Sequence, residues 1–182
     1  KTANPAITVW TGAMAGTLDD VYAQITDLGA VTGHDSEAAA LVTKMKADIA
    51  SATDGVTAPE GASYYYELDN TYYSLTSNTF VGSLLKSTGI ANIADGVEAG
   101  NDWPQLNAES IIKANPSVVF LADTKCCQQN AAAVAKRAGW ADLDAVKNSR
   151  VVELDDDIAS RWGPRIVDLV KQMVEAIAAL QK

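Results

Sequence analysis

The chain has 182 residues, 48% of them hydrophobic and 20% charged, enough to bury a substantial core and too apolar for a disordered chain. Its formal net charge of −9, with no basic run anywhere, excludes nucleic acid or an anionic membrane surface as the main partner. One histidine and two adjacent cysteines, Cys126 and Cys127, are too few for a tetrahedral zinc site or for histidine-dependent catalysis.

In chain order, "AITVW" (6–10) reads as a short strand. "TLDDVYAQITDLG" has Thr17 as N-cap with Asp20 three residues on, then Leu18, Val21, Tyr22, Ile25 and Leu28 at helical spacing, and Gly29 as its stop. His34, in "TGHDSE", reads as a solvated loop residue ahead of a second helix from Ser36 to Asp54, with Leu41, Met45 and Ile49 on one stripe. "GVTAPEGAS" (55–63) is the clearest break in the chain.

Beyond it the rhythm is strand, loop, helix. "SYYYELD" is a strand, "TSNTFVGSLLKSTG" a helix capped near Ser77, and "ANIA" a short strand before the long loop "DGVEAGNDWPQL". "NAESIIKANP" is a helix capped by Asn107 and stopped by Pro116; "SVVFLAD" is a buried strand, "QNAAAVAKRAG" a helix and "RVVELD" a strand. The last helix opens at Pro164 and carries an apolar stripe of Ile166, Leu169, Val170, Met173, Val174 and Ile177. Strands alternating with helices give an α/β fold with a mainly parallel sheet.

In such sheets ligands lie beyond the carboxyl ends of the strands. That rule gathers loops 70–77, 100–106, 124–129 and 155–163, which hold Tyr72, Tyr73, Trp103, Arg161 and Trp162 beside Asp155, Asp156 and Asp157. Rings with one polar handle suit the wall of a ligand cleft, although they also serve as packed rim residues. The three aspartates fit a solvated turn, a hydrolytic pair or a weak metal site, since neighbours on an extended chain point opposite ways. Arg165, in the first turn of the last helix, needs an anionic partner, for which Asp156 and Asp157 are the candidates.

"WPQLNAE" (Trp103 to Glu109), "NPSVV" (Asn115 to Val119) and the acidic loop running into "GPR" (Asp157 to Arg165) resemble, in that order and spacing, the class III substrate-binding proteins of ABC importers. Members of that family capture cobalamin, ferric siderophores and haem. The resemblance covers essentially the whole chain and implies a three-layer α/β/α C-terminal lobe with a mainly parallel sheet over 57–182. A long interlobe helix over 36–56 and the end of an N-terminal lobe over 1–35 precede it, with the rest of that lobe ahead of residue 1.

It implies ligand contacts from Tyr73, Trp103, Asp157 and Arg161, to which Trp162 is added from its place on the same loop. Glu109 becomes the carboxylate that docks on arginines of the permease subunits. A ferric siderophore, usually anionic and met by Arg161 and Arg165, ranks first. Cobalamin ranks second, because Ala159 and Ser160 stand where some cobalamin binders have larger residues. Haem ranks third, with Tyr72 or Tyr73 as its iron ligand. The chain is then an extracytoplasmic monomer, periplasmic or a surface lipoprotein, with no catalytic residue, resident metal or cofactor. In that oxidising setting Cys126 and Cys127 are either a vicinal disulfide or two free thiols. An α/β enzyme using Asp155 to Asp157 with Arg161, and an adaptor lobe without a ligand, are the alternatives.

Overall fold

A computed structural model describes residues 9–181. The strand expected over 6–10 falls mostly outside them, and Val9 and Trp10 form no strand. The first helix, α1 (Leu18–Thr32), opens with a capping box: Thr17 Oγ1 accepts from the Asp20 N–H at 3.2 Å while the Asp20 carboxylate accepts from the Thr17 N–H at 2.9 Å. It does not stop at Gly29. A Cβ on that residue would lie 2.5 Å from the Ala38 Cβ, so this glycine lets α1 close against α2 (Asp35–Thr53). The turn between them falls at Gly33, whose φ of 73° suits glycine.

Four parallel strands form the sheet: β1 (Ser63–Glu67), β2 (Ala91–Asn92), β3 (Val118–Leu121) and β4 (Val151–Glu153), in the order β2-β1-β3-β4. Tyr64 pairs with Val118 and Tyr66 with Phe120, and side chains of alternate residues leave by opposite faces. Tyr64, Tyr66, Val118 and Phe120 join one core with α3 (Phe80–Leu85), α8 (Ile166–Ala178) and Met45 of α2. Tyr65, Val119 and Leu121 join a second core with Ile111 of α4 (Ala108–Ala114), Val134 of α5 (Ala131–Ala135), Trp140 and Ala145 of α6 (Asp144–Lys147). Both faces are therefore covered, giving the three-layer α/β/α arrangement, and the central β3, Val118–Leu121, is correspondingly apolar and buried throughout. All six residues of the α8 stripe are buried.

Several boundaries move for local reasons. The cap of α3 is Thr79, whose Oγ1 accepts from the Gly82 N–H at 3.1 Å, because the Ser77 N–H is already held by Asp95 at 2.8 Å. Residues 155–163, expected as an extended loop, contain a short helix, α7 (Asp156–Ser160), capped by Asp155. Helix α8 starts at Ile166, two residues after Pro164. The one-turn α6 has too few residues to show a period.

Gly82 sits where α3 crosses the loop from β1. A Cβ there would lie 2.1 Å from the Thr76 carbonyl oxygen, a backbone atom with nowhere to move. Gly82→Ala is expected to cost about 2–3 kcal/mol through overpacking, read as a lower urea midpoint with an unchanged slope.

Candidate functional site

The carboxyl ends of the four strands deliver the loops 68–79, 93–107, 122–130 and 154–165 to one edge. Two of them are zipped together by backbone. Tyr73 and Gln105 form an antiparallel bridge, the Ser74 N–H donates to Pro104 O at 3.0 Å and the Thr76 N–H to Asp102 O at 2.9 Å. Thr76 Oγ1 also donates to the Asp102 carboxylate at 2.7 Å. This rim holds Trp103, which is 53% exposed, and Tyr73, which is 41% exposed.

Facing the rim is α7 and the segment after it. Trp162 packs edge-on against Phe80, with ring centroids 4.8 Å apart, and its indole N–H is buried without an acceptor. Between Trp103 and Trp162 lies a recess of about 210 Å³, floored by Tyr66, Leu68 and Phe80 and edged by Ser160. The Tyr66 hydroxyl is likewise buried without a partner. An apolar recess walled by two indoles is suited to a ring-bearing ligand.

Of the residues expected to meet a ligand, Trp103 and Trp162 line this recess together. Tyr73 stands on the rim beside Trp103. Asp157 and Arg161 flank it on α7 and its C-cap, paired with each other at 2.7 Å, and the Arg161 side chain is 79% exposed. Tyr72 is turned away, stacked on Trp140 at 5.8 Å in the second core. Ser160, noted from the sequence only as a small residue at a position that is larger in some cobalamin binders, edges the recess, and Phe80 was not singled out in the sequence. Tyr66 is legible there only as a core residue, sharing the Tyr64 face of β1.

The three aspartates are mainly a clasp between loops. Asp156 accepts from Thr124 Oγ1 at 2.8 Å, the Lys125 N–H at 3.0 Å and the Cys126 N–H at 2.8 Å. Burial works to raise its pKa, but these donors outweigh it, so it stays below the ordinary carboxylate value. Asp155 and Asp157 both hold the Lys125 ammonium, at 2.7 and 3.0 Å. Being one turn of helix rather than an extended run, the aspartates are spoken for, and no cluster of metal-ligating side chains occurs among the described residues. The partner expected for Arg165 is thus engaged elsewhere, and Arg165 makes no ion pair among the described residues.

Comparison with known proteins supplies the context. Residues 1–158 match the family of periplasmic binding proteins. The chain belongs to that family. It is 32% identical over 176 residues to an uncharacterized ABC transporter substrate-binding lipoprotein, YvrC, of Bacillus subtilis, covering 94% of this chain and 54% of that protein. It is 29% identical over 174 residues to a protein of Halobacterium salinarum named as cobalamin-binding, covering 93% of this chain and 47% of that one. A solved structure of a possible iron-binding, periplasmic solute-binding protein of Staphylococcus epidermidis superposes with a TM-score of 0.76 at 26% identity, over 94% of this chain and 67% of that one. The chain spans about half the length of the curated relatives it matches.

Beneath the edge this family member buries a charged group that the sequence did not reveal. Glu67 and Asp123, ending β1 and β3, are both fully buried. Arg137 forks onto Glu67 with two bonds of 2.6 Å, donates to Gln129 Oε1 at 2.7 Å and lies 4.6 Å from the Trp140 ring centroid. Neither Asp123 oxygen meets a donor. Burial first, and then the neighbouring Glu67, push the Asp123 carboxyl up to about 7.

A carboxyl whose pKa is higher folded than unfolded takes up a proton on folding. Its contribution to stability is complete below about pH 4, declines as pH rises toward 7 and is then lost. Asp123→Asn should remove that decline and melt above the parent protein at pH 8. Thermal melts of both proteins from pH 4 to 8 check this through the difference between the two curves.

Proposed function

We propose that residues 57–182 and the helix over 36–56 are the C-terminal lobe and interlobe helix of an extracytoplasmic substrate-binding component of an ABC importer. On this reading its recess grips an uncharged, ring-bearing ligand of the cobalamin type. The carrying observation is the combination at the strand edge: an apolar recess walled by Trp103 and Trp162, whose neighbouring cations Lys125 and Arg161 are already neutralised by Asp155 and Asp157. Binding a multiply charged anion there would mean breaking those pairs and facing three aspartates. This moves cobalamin ahead of an anionic ferric siderophore, reversing the order reached from the cations alone, and leaves haem last, with Tyr72 turned away from the recess and only Tyr73 of its two candidate iron ligands on the rim. The Halobacterium salinarum relative's name supports the same choice.

A recess of about 210 Å³ is smaller than the few hundred Å³ a drug-sized ligand usually fills. The remainder of the cargo is held by a second lobe, for which the greater length of the relatives leaves room. The lipoprotein name of the Bacillus subtilis relative supports a location outside the cytoplasm. Among the described residues no helix is long and apolar enough to cross a membrane, which agrees with a chain that works beside its permease. Trapping and delivery of a ligand need no catalytic group.

Tryptophan fluorescence titrations with cyanocobalamin, a neutral ferric hydroxamate, an anionic ferric catecholate and haem test the assignment, after correction for ligand absorbance. Saturable quenching by cyanocobalamin is expected, weakened about tenfold or more by Trp162→Ala and within about twofold of parent in Arg161→Ala. Binding of the catecholate alone, lost in Arg161→Ala, would restore the siderophore. Glu109, exposed in the first turn of α4, is the docking carboxylate. Glu109→Ala should leave ligand affinity unchanged while lowering uptake in cells, and equal loss of both would remove the docking role.

A further inference from the structure

Cys126 and Cys127 are joined as a disulfide, with Cys126 exposed and Cys127 half-buried in the loop leaving β3. The ring they close spans a single peptide unit, with Cα atoms 3.8 Å apart, closer than the roughly 4.4–6.8 Å of ordinary disulfides. An exposed bridge confined in this way belongs to the labile class rather than the structural one.

What the ring holds is unusual. On its N-terminal side, the amides of Lys125 and Cys126 donate to the Asp156 carboxylate, which belongs to α7, the helix that brings Ala159 and Ser160 to the recess. On its C-terminal side, Gln129 Nε2 donates to the Cys127 carbonyl at 3.0 Å while its Oε1 accepts from Arg137. Arg137 in turn grips Glu67, one residue before Leu68 of the recess floor. The Asp123 carbonyl accepts from the Cys127 and Gln129 amides at 3.2 and 3.3 Å. Between them Gln128 is kept at φ 54°, a left-handed conformation that a non-glycine residue holds only when its surroundings impose it. The ring thus ties together the two supports of the recess.

We propose that the Cys126–Cys127 bridge is a reducible site, and that its opening by an external dithiol loosens the loop over 124–129 together with α7 and so weakens ligand binding in the recess. In the first step a thiolate of the dithiol attacks Cys126 Sγ. A mixed disulfide forms, the bond to Cys127 breaks, and Cys127 leaves as a thiolate that takes up a proton. The second thiol of the reductant then attacks the mixed disulfide, releasing Cys126 and leaving the reductant as its cyclic disulfide. Two electrons and two protons pass to the protein. Once the ring is open, the torsions of residues 126–128 regain their freedom, and the Gln128 conformation and the amide bonds to Asp156 lose the element that fixes them. The last step, on ligand affinity, rests on the cobalamin-type reading above; the effect on the loop does not.

Intact mass after alkylation, hydrogen exchange and cyanocobalamin titration are read on the whole chain with and without dithiothreitol. Expected results are two alkyl groups only after reduction, faster exchange in 124–129 and 156–160 but not in β1 or β3, and an affinity for cyanocobalamin about fivefold or more weaker, the lower end of ordinary site-to-site coupling. The double variant Cys126→Ser, Cys127→Ser should behave as the reduced chain and ignore the reductant. Alkylation of both cysteines without reductant overturns the proposal, as does unchanged exchange in 156–160 or unchanged affinity in a chain that binds. Faster exchange in a chain that binds cyanocobalamin in neither state sustains the reducible coupling and removes the cobalamin reading instead.

Discussion

Everything in this fold follows from a central strand pair with no face turned to water. Because β1 and β3 are buried on both sides, successive residues feed two different cores: Tyr64, Tyr66 and Phe120 one, Tyr65, Val119 and Leu121 the other. Helices must then cover both faces, each parallel crossover must return to the same end of the sheet, and every strand must release its chain at the opposite end. The loops have no choice of edge. Four of them meet where the open ends of the strands leave space, and the aromatic recess forms there.

At that edge charge serves chiefly to hold backbone. Asp156 is a rivet through the amides of a neighbouring loop, and Asp155 and Asp157 share one lysine. The same economy recurs a layer down, where one guanidinium grips the buried Glu67 with two bonds while the buried Asp123 is left without a donor. The acidic surplus of the chain is thus spent partly on pinning loops, and the aromatic recess is left as a part of the edge lined by no charged side chain.

The strands, the long helices and the edge itself were legible because each rests on local pattern: alternation along "SYYYE", Thr17 and Asn107 at their caps, the α8 stripe. Gly29 misled because glycine was read as a stop when it is a point of helix contact, something visible only once Ala38 lies across from it. The aspartate run misled for a related reason, since a single turn of helix has no period to display. Trp103 and Trp162 could be named as aromatic loop residues, but their neighbour Phe80 comes from another part of the chain and carries no signal of its own. Arg137, Glu67 and Asp123 are invisible for the same reason. They are far apart in sequence and meet only through the register of β1 on β3.

The rim carrying Tyr73 and Trp103 is joined through main-chain atoms, from the Tyr73–Gln105 bridge to the bond from Thr76 to Asp102. Its shape is consequently independent of the side chains it displays. The path of the chain at this edge can therefore survive replacement of Tyr73 or Trp103, whereas Gly82, pressed against Thr76 beneath the same rim, leaves no space for a larger residue.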